Sequence, residues 1–410
     1  MNPDTDIANQ TAVAAMLAAR PVLTDIRPAG EVISDLKKGT LLHAGPPVTW
    51  ENMVDVQRGA AIGALLYEGW ANSPAEATTL AASGQVRLRP CNDVQAVGGL
   101  AGVISPSMPV AVAANAAGSQ VAYSRLWEPK LLFGSSDVAT MISLRWLERV
   151  AAPLLAAAVR RAGGIDLFGL IGKALHMGDE CHSRQTAGSS LFLRALLPHL
   201  MRVETASSDL ASTLAFLAAN DGVFLPFVMA AAKVITLAGS DVPGSSIVTT
   251  VCTNGYQAGI QLSGTGDRWF TGPAPVVDGV LLPGFTAADT SPQIGDSGIV
   301  EVVGLGACAM AAAPEAPANA GNRLETALAL TQETLKIAKA QQPGWTIPAL
   351  NYAGVPCGLD ARKIVETGIL PPSSATIPSR KAGGGRIGMG IARPPLSAFQ
   401  AALAVLDRSE

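Results

Sequence analysis

The sequence predicts an α/β protein built in three parts, and three observations carry that reading. Strands and helices alternate over the first third of the chain. A run of amphipathic helices follows, and then a stretch of paired short strands and turns. With 410 residues, two or three domains are expected. The parts are an N-terminal α/β domain over 1–138, a helical segment over 139–240 and a mixed α+β domain over 241–410.

Taken in order, "ANQTAVAAMLAAR" has helical spacing and ends before Pro21. "PVLTDIRPA" reads as a strand and turn, and "GTLLHAGPPVTW" as a short strand closed by Gly-Pro-Pro. "VDVQRGAAIGALLYEGWA" and "AEATTLAASG" are helices, the second stopped by Gly84, and "QVRLRPC" alternates like a strand. In the middle part, "MISLRWLERVAAPLLAAAVRRAGG" is a long amphipathic helix ended by Gly-Gly. "DLFGLIGKALHMGDE", "SSLFLRALLPHLMR" and "ASTLAFLAAND" are further helices. Next, "SSIVTTVCTNGYQAGIQLSG" reads as two strands around Asn254-Gly255. "RWFTGPAPVVDGVLLPGF" is turn-rich, and "ETALALTQETLKIAKAQ" is a helix. No internal repeat stands out.

Composition narrows the function. About half of the chain, 49%, is hydrophobic and only 15% is charged, carried by Ala, Val and Leu more than by aromatic residues. A core of that size folds without covalent staples. Low charge with abundant small apolar residues predicts a buried subunit surface, so a homo-oligomer is expected. The net charge of −3 and the lack of a basic stripe argue against nucleic acid. Five scattered cysteines without a CxxC read as reduced thiols of a cytoplasmic protein. The polar, acidic start "MNPDTDIANQ" is unlike a signal peptide. Val94 to Ser124 carries no charge, but glycines, serines and prolines interrupt it, so a buried strand-and-loop region is expected and not a membrane span.

The densest chemistry lies in "HMGDECHSR", which holds two of the four histidines. On a helix, His176, Asp179 and Glu180 would share a face, while His182 and Arg184 would not. That separation disfavours a metal centre, which needs three or four converging ligands, and no metal or cofactor is expected. A polar pocket at a helix end fits better, with His176, Asp179 and Glu180 as acid–base candidates and Arg184 and His182 binding substrate. A plain helix junction, with Asp179 capping the next helix, is the alternative. His43 stands at a strand end, where α/β domains bind ligands, and joins the catalytic candidates. "PCNDVQAVGGLAGVISPSMPV" offers Asn92, Asp93 and Ser105 beside glycines that let backbone N–H groups approach an anion. Asn220 precedes Asp221-Gly222 at a helix end. Asp267 and Arg268 follow a glycine turn, and Arg268 could fork a carboxylate or phosphate. Lys381 and Arg386 flank a glycine-rich loop suited to phosphate, though a flexible surface loop has the same composition.

A set of blocks extends this reading: "LLHAGPP", "GALLYEGWA", "AVGGLAGVISPSMPV", "ALHMGDECHSR", "SSIVT", "SGTGDRWFTGPAPVVDG", "IGDSGIVE" and "RKIVETGILP". Together, from about residue 8 to residue 405, they resemble the YlbE-like proteins. That family includes one subunit of the oxamate carbamoyltransferase of anaerobic allantoin degradation. The resemblance implies phosphorolysis of oxalurate to oxamate and carbamoyl phosphate, beside an FdrA-type subunit and a third small subunit. The physical reading is compatible: both substrates are anions, and attack on a carbamoyl carbon builds oxyanion charge that glycine-loop amides can stabilise.

One departure is visible. The family's segment after "PC" is rich in histidine, whereas this chain reads Cys91-Asn92-Asp93-Val94. A less acidic or bulkier ureido substrate is the expectation that follows. The function expected is therefore a carbamoyltransferase subunit acting on a small ureido or amido acid. A non-catalytic structural subunit of an FdrA-type complex, or a metal-dependent amidohydrolase using His176, Asp179 and His182, are the alternatives.

Overall fold

A computed structural model describes residues 3–321 and 323–408 of the chain. The fold is mixed α/β, as the sequence predicts. Its N-terminal sheet has five strands in the order Ala96–Val97, Val121–Arg125, Pro109–Asn115, Pro21–Pro28 and Ile165–Asp166. Only the first pair is parallel; the rest run antiparallel. The strand–helix–strand rhythm belongs instead to a separate parallel pair, Thr40–His43 with Arg87–Pro90. Helices Asp55–Tyr67 and Pro74–Ala82 connect those two strands. The second helix starts as its sequence dictates: Ser73 Oγ accepts from the Glu76 N–H, and Pro74 fills the first turn.

The uncharged stretch from Val94 to Ser124 supplies strands and loops of this sheet. The helix Leu225–Ala238 covers Pro21–Pro28, Pro109–Asn115 and Val121–Arg125, and every residue from Pro226 to Thr236 is buried. Asp221–Ala238 is long and apolar enough to cross a membrane, and 72% of it is buried inside the protein. The predicted long helix of the middle part runs as Val138–Trp146 and Ala152–Arg161, joined by a π turn at Leu147–Ala151. Pro153 explains the π turn, since it has no N–H for the residue four back. Ile165–Asp166 pairs into the N-terminal sheet, so this stretch packs on that sheet. Phe192, Phe224 and Phe227 interlock the middle helices, with Phe192 and Phe227 centroids 4.5 Å apart.

The C-terminal part carries a four-stranded antiparallel sheet, Phe270–Pro273, Gln257–Leu262, Val248–Asn254 and Ile294–Gly295. The Asn254-Gly255 turn forms as expected. Gly255 takes φ +81°, and Asn254 Oδ1 accepts from the Tyr256 and Gln257 N–H groups. A three-stranded sheet joins Asp278–Leu281, Arg386–Ala392 and Ser373–Pro378. Two helical expectations end early. "DLFGLIGKALHMGDE" is helical only over Leu167–His176, because Gly178 turns to φ +90°. The helix Leu324–Ile337 stops where Ala338–Ile347 pairs with Ala353–Leu359, a tertiary pairing that overrides local helix preference.

Phe192→Ala should cost about 3–5 kcal/mol, because it empties the centre of the three-ring cluster. Urea unfolding followed by circular dichroism checks this. A loss under ~1 kcal/mol would show that the cluster collapses into the space.

Candidate functional site

A cavity of about 550 Å³ opens where the three parts of the chain meet. Its wall takes His182 to Thr186 from the loop before the helix Thr186–Leu200, and Asp221, Gly222 and Leu225 from the start of the helix Leu225–Ala238. Gly99 and Leu100 come from the glycine-rich loop, and Ser297, Ser374 and Arg386 from the C-terminal part.

The loop between the helices Leu167–His176 and Thr186–Leu200 folds back because Gly178 and Cys181 both adopt positive φ, +90° and +65°. That reversal turns Asp179 and Glu180 fully inward. Glu180 becomes an acceptor for its own loop. Oε2 takes the His182 N–H at 2.6 Å and the Arg184 N–H at 3.2 Å. Oε1 takes the Ser183 N–H at 2.6 Å, the Ser183 hydroxyl, and the Ser374 hydroxyl at 3.2 Å. Asp179 Oδ2 accepts from the Gly188 N–H at 2.7 Å, so it caps the following helix. Burial pushes the Asp179 carboxyl up to about 6, against the Gly188 N–H. Arg184 approaches Asp179 at 3.5 Å and Glu315 at 3.8 Å and is part of the cavity wall.

His182 is the histidine at the cavity. Its Nδ1 lies 2.6 Å from Glu301 Oε1, and both side chains are buried. Burial works against the imidazolium, but the charge and hydrogen bond of Glu301 outweigh it and raise the His182 pKa. Glu301 Oε1 also accepts from the Ser374 N–H at 2.9 Å. Arg386 is exposed at the rim, with Nη1 3.5 Å from Met389 Sδ and no carboxylate partner among the described residues.

Other predicted residues lie elsewhere. His176 ends its helix exposed, with Nε2 2.7 Å from Thr346 Oγ1. The trio His176, Asp179 and His182 therefore splits three ways, and among the described residues no group of three or more His, Cys, Asp or Glu is placed to hold a metal ion. His43 is buried at the end of its strand, its Nδ1 2.9 Å from Ala44 O, and burial lowers its pKa to about 4. Ser105 is buried with its hydroxyl unpaired. Asn220 caps the C-terminus of the helix Ser207–Ala219 by donating to Phe216 O. Asp267 and Arg268 are exposed, and Arg268 lies over the Phe270 ring at 5.8 Å. Lys381 is exposed and, unlike Arg386, is not part of the cavity wall.

Asn92 belongs to a buried network behind the cavity. Its Oδ1 accepts from Lys233 Nζ at 3.0 Å, and its Nδ2 donates to Asp296 Oδ1 at 3.2 Å. Asp296 also accepts the Gly45 N–H at 2.8 Å and the Gly98 N–H at 2.9 Å. Burial lowers the Lys233 pKa, opposed by the Asp296 charge. Asp93 accepts from Trp269 Nε1 at 3.0 Å and is pushed up by burial. Sequence reading missed Lys233, Asp296, Glu301 and Ser374. A signal existed for two of them: Lys233 and Glu301 are lone charges in otherwise apolar runs, where a buried charge needs a partner.

Fold and cavity define a mixed α/β protein whose central cleft carries a carboxylate-oriented histidine and two arginines. Residues 86–297 match the family described as oxamate carbamoyltransferase subunit AllG. The chain is 38% identical over 408 residues to the oxamate carbamoyltransferase subunit AllG of Escherichia coli K12, covering 98% of this chain and 97% of that one. It is 37% identical to the uncharacterized protein YahG of the same strain, covering 97% of this chain and 84% of that one. A crystal structure of a conserved protein of unknown function from Enterococcus faecalis V583 superposes with a TM-score of 0.97 at 40% identity, over 99% of this chain and 98% of that chain. The chain belongs to the AllG family.

Asp296 makes the network behind the cavity sensitive to pH. Burial raises its carboxyl from the ordinary 3.8 to about 7, so between those values the folded chain holds a proton that the unfolded chain has released. This contribution to stability is present at the acid end and is lost as pH rises through that window. Asp296→Asn should lower stability by about 1–3 kcal/mol through a lost acceptor, and should also flatten the fall between about pH 4 and about pH 7. Urea unfolding of both proteins across that range checks it, and an unchanged slope would refute it.

Proposed function

We propose that the chain is a subunit of a carbamoyltransferase acting on a small ureido or amido acid, an oxalurate-like molecule phosphorolysed to carbamoyl phosphate. It is a cytoplasmic, homo-oligomeric protein on this reading, and it works beside an FdrA-type subunit and a third small subunit. The name of the E. coli relative supports the reaction class.

The observation that carries the reading is the charge lining of the cavity. Phosphate and a ureido acid are both anions, and Arg184 and Arg386 both line the space. An arginine fork suits a planar carboxylate or phosphate. The helix Thr186–Leu200 directs its N-terminus to the same wall, which adds partial positive charge. Gly99 leaves backbone close to the space, suited to a developing oxyanion. At about 550 Å³ the cavity has room for two small molecules together. Exposed Val276, Val280, Leu282 and Phe285 supply apolar surface for a subunit contact.

The test is phosphate-dependent formation of carbamoyl phosphate from a panel of ureido acids, oxalurate included, by the complex co-expressed with its FdrA-type and small subunits. No carbamoyl phosphate from any of them overturns the reading. Arg386→Gln should raise the KM for one anionic substrate about tenfold or more, while the unfolding midpoint stays in place, because the arginine is exposed and unpaired by carboxylates. Unchanged KM values for both phosphate and the organic acid would remove Arg386 from the site.

A further inference from the structure

We propose that His182 and Glu301 are the proton-transfer pair of this cavity, and that Glu180 is a structural bracket rather than an acid or base. The proposal rests on the carbamoyltransferase reading and names the residue that moves the proton.

The geometry separates the two glutamates. Glu180 faces five donors, two to Oε2 and three to Oε1. A carboxylate offers about four lone-pair sites, so Glu180 has none left for a substrate proton. His182 is held differently. Its N–H is fixed by Glu180 and its Nδ1 by Glu301, which leaves Nε2 without a protein hydrogen-bond partner among the described residues, on a side chain that lines the cavity. A carboxylate on Nδ1 fixes the Nδ1–H tautomer and stabilises the imidazolium, so Nε2 can accept a proton and return it. Glu301 is in turn fixed by the Ser374 N–H. Gly306, at φ +58°, makes the room: a Cβ there would stand 2.2 Å from Glu301 Oε1 and 3.1 Å from His182 Cβ.

The step balances within the reaction. An oxygen of hydrogenphosphate forms a bond to the carbamoyl carbon, and the bond from that carbon to the amide nitrogen breaks. His182 Nε2 takes the phosphate proton and delivers it to the departing nitrogen. The products are carbamoyl phosphate and the free amide acid, with the total charge unchanged. The charged groups around His182 are Glu301 and Glu180, with Arg184, Arg386, Glu315 and Asp221 on the same cavity wall.

Two measurements decide it. In the assembled complex, His182→Asn should lower kcat by about 10²–10⁴-fold with KM values nearly kept. His182→Gln serves if the first variant does not fold. In the full-length chain, NMR of labelled imidazoles, of which there are four, should show His182 as the Nδ1–H tautomer in its neutral form. Glu301→Gln should shift its titration to lower pH, and the acid-side inflection of kcat, which reports the neutral Nε2 base, should move with it. An active wild-type complex that keeps kcat within about tenfold in the His182 variants overturns the proton step alone. So does a His182 titration unmoved by Glu301→Gln. A wild-type complex that makes no carbamoyl phosphate overturns the reaction class and the step together, while the NMR result still reports the pairing.

Discussion

The cavity depends on carboxylates that are buried and must be matched by N–H donors. Glu180 takes donors from its own loop, Asp179 from the next helix, and Asp296 from two glycine turns. Each of these acids would cost several kcal/mol unpaired in the interior. Matched, each fixes a segment that has little side-chain packing of its own. Asp296 shows the effect most directly. It joins the turn at Gly45, the turn at Gly98 and the amide of Asn92, which are far apart in sequence. Gly99 and Ser297, the residues next in line, form cavity wall. A shift of this one carboxylate would move two sides of the cleft together.

The helix N-terminus at the cavity is placed by the same logic. Asp179 occupies the capping role for Thr186–Leu200 from outside the helix, through the Gly188 N–H. The loop is short, so fixing Asp179 and Glu180 inward forces His182 and Arg184 outward to the cavity. "HMGDECHSR" is thus a junction with its acids used for structure and its later basic residues turned to the cleft. Asp179 caps the next helix as the junction reading expects, while His182 and Arg184 line the cavity.

Legibility followed the range of the interactions. The Asn254-Gly255 turn is decided within a few residues, and the sequence shows it directly. The sheet order is not local: Ile165–Asp166 pairs with Val22 and Leu23, more than a hundred residues earlier. The site divided in the same way. Arg184 and His182 were visible because they share one dense stretch. Glu301 is 119 residues from His182, and Ser374 is 194 from Glu180. Nothing local announces those pairs except a lone glutamate in an apolar run. His176 and Arg268 drew attention through residue type, which says nothing of which side of the fold they reach.

Asn92 and Asp93 draw the last distinction. They stand after Pro90-Cys91, where the resemblance implies a histidine-rich segment, and their chemistry suggests direct contact with a ureido group. Neither is part of the cavity wall; Asn92 lies one layer behind it, between Lys233 and Asp296, and Asp93 is held by Trp269. The link from Asn92 to the cavity wall runs through Asp296 and the Gly98 turn it holds. An amide at position 92 is suited to that task, since it accepts from the lysine and donates to the carboxylate at once. It connects Lys233 and Asp296 through its two ends. An imidazole could also bridge donor and acceptor, but with its own titration in the middle of the network. Asn92 therefore bears on how the wall is supported rather than on what the wall can touch.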